Sequence, residues 1–359
     1  MRSTLLTIAL SALVSTSSFA NNSDFKTAYN NYINAIESGQ PAKEYAKQAY
    51  ELGLVKFGDN AQSTANLAVN YANALSAIDK QERVQREELY EQAIDILSQT
   101  KGELDISLLD PLLGLTETTR RFSIAEDSTE RAVEIAEHTK DDAFIAQIKL
   151  TFAEALLKKF SDKRRSIIKE YLMDAQQYYA HNQVENSLDN VKVNMYLGVY
   201  HSRFGKLATA EGHLNQVIKV FDDNLDFDHP LELQAHSLLV DLYEDKGLSE
   251  RATKHCLAIA QMTPWTDDEE QVPLYRVHPS PSISAWQSTK KGEKIAVELE
   301  ITVDRAGFVT DANVLFAQGH VGFKKAALEA IEKWRYAPKF ENGKPVEAKT
   351  KIRFDFELG

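Results

Sequence analysis

The side chains in this chain best equipped for chemistry are nine histidines, one cysteine and many carboxylates. Their spacing does not assemble a reaction centre. The sequence has no HExxH, no histidine and carboxylate at metal-ligand spacing, no glycine-rich phosphate loop, no G-x-S-x-G elbow and no cysteine motif. His201 and His213 fall on different expected helices and read as surface or packing residues. Asp304 lies in Asp304-Arg305-Ala306-Gly307, where a short acceptor side chain forms a turn before it serves as a calcium ligand. Cys256 sits in the apolar pattern of a helix and is expected to be buried as a small hydrophobe. The chain is therefore expected not to be an enzyme and to need no cofactor and no metal. What remains is the chemistry of binding. In KTKIRFDFEL, Lys349 to Leu358, apolar Ile352, Phe354, Phe356 and Leu358 alternate with charged Lys351, Arg353 and Asp355, as on a strand with one buried face.

The elements that must position these residues fall into two groups. The length of 359 residues at 43% hydrophobic suffices for two packed domains. A formal charge of -12 argues against a general nucleic-acid binder, which needs a basic face to displace counterions. Residues 1–20 read as a signal peptide: Arg2 supplies the basic start, Leu5 to Val14 the apolar run, and Ser18-Phe19-Ala20 the cleavage site. The run is too short to span a bilayer, and no later segment comes closer, so no stable membrane span and a periplasmic location are expected. With Cys256 as the one cysteine, neither an internal disulfide nor a lipid anchor after the signal is available.

Residues 21–262 have a helical period nearly throughout. Small residues recur in EYAKQAYELGL, YEQAIDIL, ERAVEIAE, MDAQQYYA, ATAEGHLNQVIKVF and ERATKHCLAIA, at Ala46, Ala93, Ala132, Ala175, Ala210 and Ala252. Their variable spacing suits about six helical hairpins, with Ile106 to Leu115 supplying part of one first helix. Two units, Tyr196 to Ile218 and Leu238 to Ala260, resemble tetratricopeptide (TPR) repeats. The first carries Leu197, Gly198, Gly205, Ala210, Leu214 and Val217 on the family's spacing; the second carries Tyr243, Gly247, Ala252, Cys256 and Ile259. The resemblance implies a TPR-like solenoid whose concave face binds protein. Its positions would include Lys192, Met195, Val199 and Ser202, then Gln234, Ser237, Asp241 and Glu244.

Residues 263–272 break the period with an acidic linker, Asp267 to Glu270. Beyond it, Val297, Leu299, Ile301 and Val303 alternate as a strand, and Val309, Val314 and Phe316 belong to the returning strand of a hairpin. A helix is expected from Gly322 to Tyr336, with Phe323, Ala327, Ala330 or Ile331, and Trp334 on its buried stripe. Glu329 and Lys333 would pair on its exposed side, Pro338 would end it, and a tight turn at Asn342-Gly343 would precede the last strand.

This strand-strand-helix-strand order, with ITVDRAGFV, KAALEAIEKWRYAP and NGKPV, resembles the TonB family C-terminal domain over residues 273–359. The whole chain then reads as an all-α TPR-like solenoid followed by a small α+β domain. In Arg276 to Ala285 the positions Arg276, Pro279 and Ala285 fit the family, while Pro281 and Ser282 stand where a tyrosine-proline pair is expected. The resemblance implies binding of an extended segment of an outer-membrane TonB-dependent receptor or of TonB-system proteins, with the repeats holding another envelope protein. Lys349, Lys351, Arg353 and Asp355 on the last strand, with Arg276 and Pro279, would form the site, since an edge strand offers unpaired backbone groups. A cell-envelope adaptor that keeps the domain only for docking is the alternative. The C-terminal domain carries 14 basic against 11 acidic residues, or +3, leaving -15 for the rest of the chain. Opposite net charge allows two readings, that the two parts attract one another or that they favour different partners.

Overall fold

The computed structural model describes residues 19–160, 165–182, 186–225, 227–265, 270–290 and 292–357. The signal sequence, apart from its last two residues, and Asp267 to Glu269 of the acidic linker lie outside them. The chain divides into two compact units, residues 1–178 and 179–359.

The first unit holds α1 (Phe19–Glu37), α2 (Lys43–Phe57), α3 (Gln62–Ala74), α4 (Lys80–Lys101), α5 (Leu109–Thr118, after a 3-10 turn at Ile106–Leu108), α6 (Phe122–His138), α7 (Asp142–Lys159) and most of α8 (Arg165–His181). Consecutive helices pair as hairpins, and the anticipated small residues do the packing: Ala46, Ala93, Ala132 and Ala175 are all essentially inaccessible. Asp79 begins α4 by accepting from the Gln81 and Glu82 amides, and Asp141 does the same for α7.

The second unit opens with two hairpins, α9 (Leu188–Arg203) with α10 (Leu207–Asn224) and α11 (Pro230–Glu244) with α12 (Ser249–Met262). Twelve helices, α1 to α12, are therefore present among the described residues up to Met262, and five consecutive pairs, α1–α2, α3–α4, α5–α6, α9–α10 and α11–α12, pack as hairpins. Cys256 is buried in the core of this pair of hairpins. His201 is buried too, its ring stacked on His213.

The same unit ends in the small domain: α13 (Ile283–Gln287), β1 (Ile295–Val303), β2 (Val309–Gln318), α14 (Val321–Ile331), β3 (Lys339–Glu341), β4 (Lys344–Val346) and β5 (Ala348–Phe356). The sheet order is β2-β1-β5, antiparallel throughout, and β3 with β4 makes a separate ribbon. Val297, Leu299, Ile301 and Val303 are fully buried beneath Phe323, Ala327 and Ile331 of α14, as their alternation requires. Asp304 shapes the β1–β2 turn by accepting from the Ala306 and Phe308 amides at 2.8 and 2.9 Å. At the β3–β4 turn, Asn342 and Gly343 both take positive φ, 50° and 74°, the geometry of a two-residue hairpin turn.

Several expectations need correction. The helix stops at Ile331, well before Pro338. Its exit is set by strand-like bonds: the Arg335 amide donates to the Tyr275 carbonyl, Leu274 donates back to Arg335, and Tyr336 donates to Gly307. A continued helix would consume those donors. Trp334 is still buried, but as part of the extended exit, its Nε1 donating to the Val277 carbonyl at 2.8 Å. The exposed ion pair on α14 is Lys325 with Glu329, not Glu329 with Lys333, which follows the helix end. Phe316 leaves the face of Val314 because Leu315 is an extra residue in β2: Glu298 pairs with Phe316 and Leu299 with Val314.

Candidate functional site

A three-stranded sheet with β1 at its centre has two edges, β5 and β2. On β5, Lys349, Lys351, Arg353 and Asp355 are exposed on one face, while Phe354 and Phe356 are buried on the other with Ile352 half-buried beside them. Sequence alternation therefore places these side chains correctly, and topology makes the strand an edge. Lys349 pairs with Glu300 of β1 at 3.1 Å, and Arg353 with Asp355 at 3.0 Å. Both pairs are exposed, so each is worth about 0–1 kcal/mol and yields readily to a competing carboxylate. Lys351 stands opposite Glu300 in register.

Arg276 is exposed with its guanidinium 5.9 Å from the Trp334 ring centre, and Pro279 is half-buried. They lie on the segment that leads into α13, not on the sheet. Ser282, where the family pattern has proline, begins α13 by accepting from the Ala285 amide.

The repeat positions divide. Lys192, Val199, Ser202 and Ser237 are half-buried, and Gln234 and Asp241 are exposed. Lys192 is held 3.4 Å from Asp189. Met195 is not a surface residue: it is 1% exposed and belongs to the core of α9–α12. Glu244 is not free either, because its carboxylate is covered and ion-paired.

Its partner is the centre of the second unit and was not singled out by sequence. Arg335, 1% exposed, is the largest fully buried side chain among the described residues. Nη1 lies 2.5 Å from Glu244 Oε1 and donates to the Ser249 carbonyl; Nη2 donates to Thr253 Oγ1 and the Ala306 carbonyl. The guanidinium sits 3.7 Å from the Phe308 ring centre. Ser249 Oγ donates to the second Glu244 oxygen at 2.5 Å, completing the carboxylate's shell. Leu274, Tyr275 and Ala337 pack on the hairpin core, and Tyr275 donates to Asp245 at 3.0 Å. The small domain and the last hairpin are therefore joined by a paired, desolvated charge. The only signal in sequence was an arginine between two aromatic residues at the helix exit.

Burial pushes the Cys256 thiol up to about 11, so it is an unreactive neighbour of Arg335. Among the described residues, no group of three or more His, Cys, Asp or Glu side chains could hold a metal, and no helix is long and apolar enough to cross a membrane. In the first unit an open groove is lined by Asp59, Glu88, Glu91 and Asp95, none of them anticipated.

Comparison with known proteins adds a family match for the small domain. No curated protein matches the chain. Solved structures that match this chain include BtubC (BKLC) from P. vanneervenii, at 14% identity and TM-score 0.44, covering 71% of this chain and 98% of that one. The assembly chaperone of RpL4, Acl4, matches at 12% identity and TM-score 0.46, covering 68% and 90%. A kinesin light chain of Podosopora anserina with nearly identical TPR-like repeats matches at 14% identity and TM-score 0.32, covering 67% and 93%. Residues 287–358 match the model of the Gram-negative bacterial TonB protein C-terminal domain. With β1, β2, α14 and β5 in that domain's span, the small domain of this chain is a TonB family C-terminal domain, preceded by helical hairpins.

Proposed function

We propose that this protein is a periplasmic, non-enzymatic binding protein accessory to TonB-dependent transport across the outer membrane. It takes an extended segment of a receptor, or of a TonB-system protein, as a fourth strand on β5. The carrying observation is that β5 is an open edge, with charged residues in one row and apolar residues in the other. Backbone bonds supply the affinity and the two rows supply the choice of side chains. The faces of α9 and α11 that carry half-buried Lys192, Val199 and Ser202 and exposed Asp241 hold a second envelope protein.

The test is an amide-shift titration of residues 21–359 with receptor-plug peptides. Residues 21–359 are used because the small domain alone would leave Arg335 without Glu244. Shifts along Lys349–Phe356, lost in Lys351→Glu/Arg353→Glu and in Arg353→Pro while the hairpins stay folded, are expected. Unchanged binding in those variants would refute strand addition at β5. The Ser282-capped helix in place of the family's tyrosine-proline pair favours a second reading, a cell-envelope adaptor. No peptide-induced shift at any concentration would select it.

A further inference from the structure

A polar contact crosses the core of the last hairpin. His236 of α11 and His255 of α12 are 8% and 3% exposed and face each other through Nδ1 atoms 2.8 Å apart. Such a contact holds with one N–H between the two nitrogens, so that one ring donates and the other accepts. With both rings protonated, two N–H donors would point at one another. His255 Nε2 is buried with no partner among the described residues, so a proton there has no acceptor.

The same two helices hold the small domain. Arg335 is gripped from α11 by Glu244 and from α12 by the Ser249 carbonyl and Thr253 Oγ1. Thr253 and Cys256, whose Sγ lies 3.6 Å from Nη2 of Arg335, flank His255 on α12. The grip on Arg335 lasts only while α11 and α12 stay together, and the histidine pair spans the seam between them.

We propose that the His236–His255 pair is an acid-operated latch: protonating both rings parts α11 from α12, and the parted hairpin releases Arg335 and with it the small domain. Charges around the pair set the direction. From α10, Asp222 draws a proton toward His236, and Glu211 occupies Arg251. On α12, Lys254 opposes protonation of both rings, and Arg251 opposes that of His255. Tyr243 of α11 stacks on His255 and stays neutral, its hydroxyl pushed up to about 12 by burial. The small domain brings Arg335, which Glu244 matches. Among the described residues α9 brings no charge to bear on either ring. Parted rings titrate as ordinary histidines, near pH 6.5, whereas both packed rings lie lower. The closed hairpin is therefore favoured above about pH 6.5 and loses ground as pH falls. From about pH 7.5 to 4.5, His255 alone favours opening by about 100-fold, and His236 multiplies this by up to the same factor.

Cys256, fully buried and the one cysteine of the chain, reports the opening. Residues 21–359 are treated with dithiodipyridine, and the labelling rate at each pH is divided by that of N-acetylcysteine. A normalised rate that rises by about 100-fold to 10⁴-fold over that range is expected, and the rise should shrink in His255→Phe and in His236→Gln. The adduct on Cys256 holds the hairpin open. Returned to neutral pH, the modified protein should have a larger radius of gyration by X-ray scattering and keep its helical circular dichroism. A normalised rate in wild type that does not change with pH overturns the proposal. So does an equal rise in wild type and both folded variants, an adduct with the radius of the unmodified protein, or an adduct that has lost its helical dichroism.

Discussion

Glu244→Ala is the perturbation that most directly probes how the second unit is held together. In the native protein the Glu244 carboxylate and the Arg335 guanidinium are 7% and 2% exposed at their side chains. Removing the carboxylate leaves the guanidinium with the Ser249 and Ala306 carbonyls, the Thr253 hydroxyl and the Phe308 ring, none of which carries a charge. An uncompensated buried charge costs about 3–5 kcal/mol. Because the second unit spans residues 179–359, each kcal/mol moves its midpoint by about 2–4 °C. A fall of about 6–20 °C in its unfolding transition is therefore expected by calorimetry. The decisive control is Glu244→Leu/Arg335→Met, which removes both charges and keeps the volume. An apolar pair of similar size is often neutral or better than a buried ion pair, so the double variant should recover most of the loss. A loss under about 1 kcal/mol for Glu244→Ala, or a double variant as unstable as the single, would refute the reasoning that desolvated charge fastens the domain to the hairpin.

Two further perturbations act near this junction. Gly307 has φ of 89°, and an added Cβ would lie 2.2 Å from the Tyr336 carbonyl oxygen, so Gly307→Ala is expected to destabilise the second unit by at least about 2 kcal/mol in chemical denaturation. A second glycine at the β3–β4 turn, Gly343, has positive φ but open space around it, and its replacement by alanine should cost less than half as much. The buried His236 and His255 face each other through Nδ1 atoms 2.8 Å apart, with Tyr243 stacked on His255. Burial pushes His255 down to about 3, helped by His236, Lys254 and Arg251, and burial lowers His236 against the pull of Asp222. The unfolded chain therefore binds protons that the folded one refuses. Their contribution is intact above about pH 6.5 and is lost as pH falls toward 3, at up to about 1.4 kcal/mol per pH unit for each ring. Melting followed across that range should show the slope in wild type and a shallower one in His255→Phe; equal slopes would refute it.

Much of the fold was legible because it rests on local periodicity. Ala46 to Ala252 mark the hairpins since only small side chains let two helices approach closely. Val297 to Val303 mark a strand because residues two apart share a face. Asn342-Gly343 marks a turn because its backbone needs positive φ. The charged row Lys349, Lys351, Arg353 and Asp355 followed from the same alternation. Met195 was misread because the offset that puts a residue on one helix face does not say which neighbour covers it.

What the sequence by itself determined is the kind of each element, since periodicity, capping and turn chemistry act between residues a few positions apart. Only tertiary structure decided that β2 is the second open edge, that Leu315 reverses the face of Phe316, and that Arg335 reaches across 91 residues of chain to Glu244. Those outcomes depend on pairing between distant segments. The free energy of a buried charge or an unpaired edge is set by what the rest of the chain brings against it, and no local pattern records that.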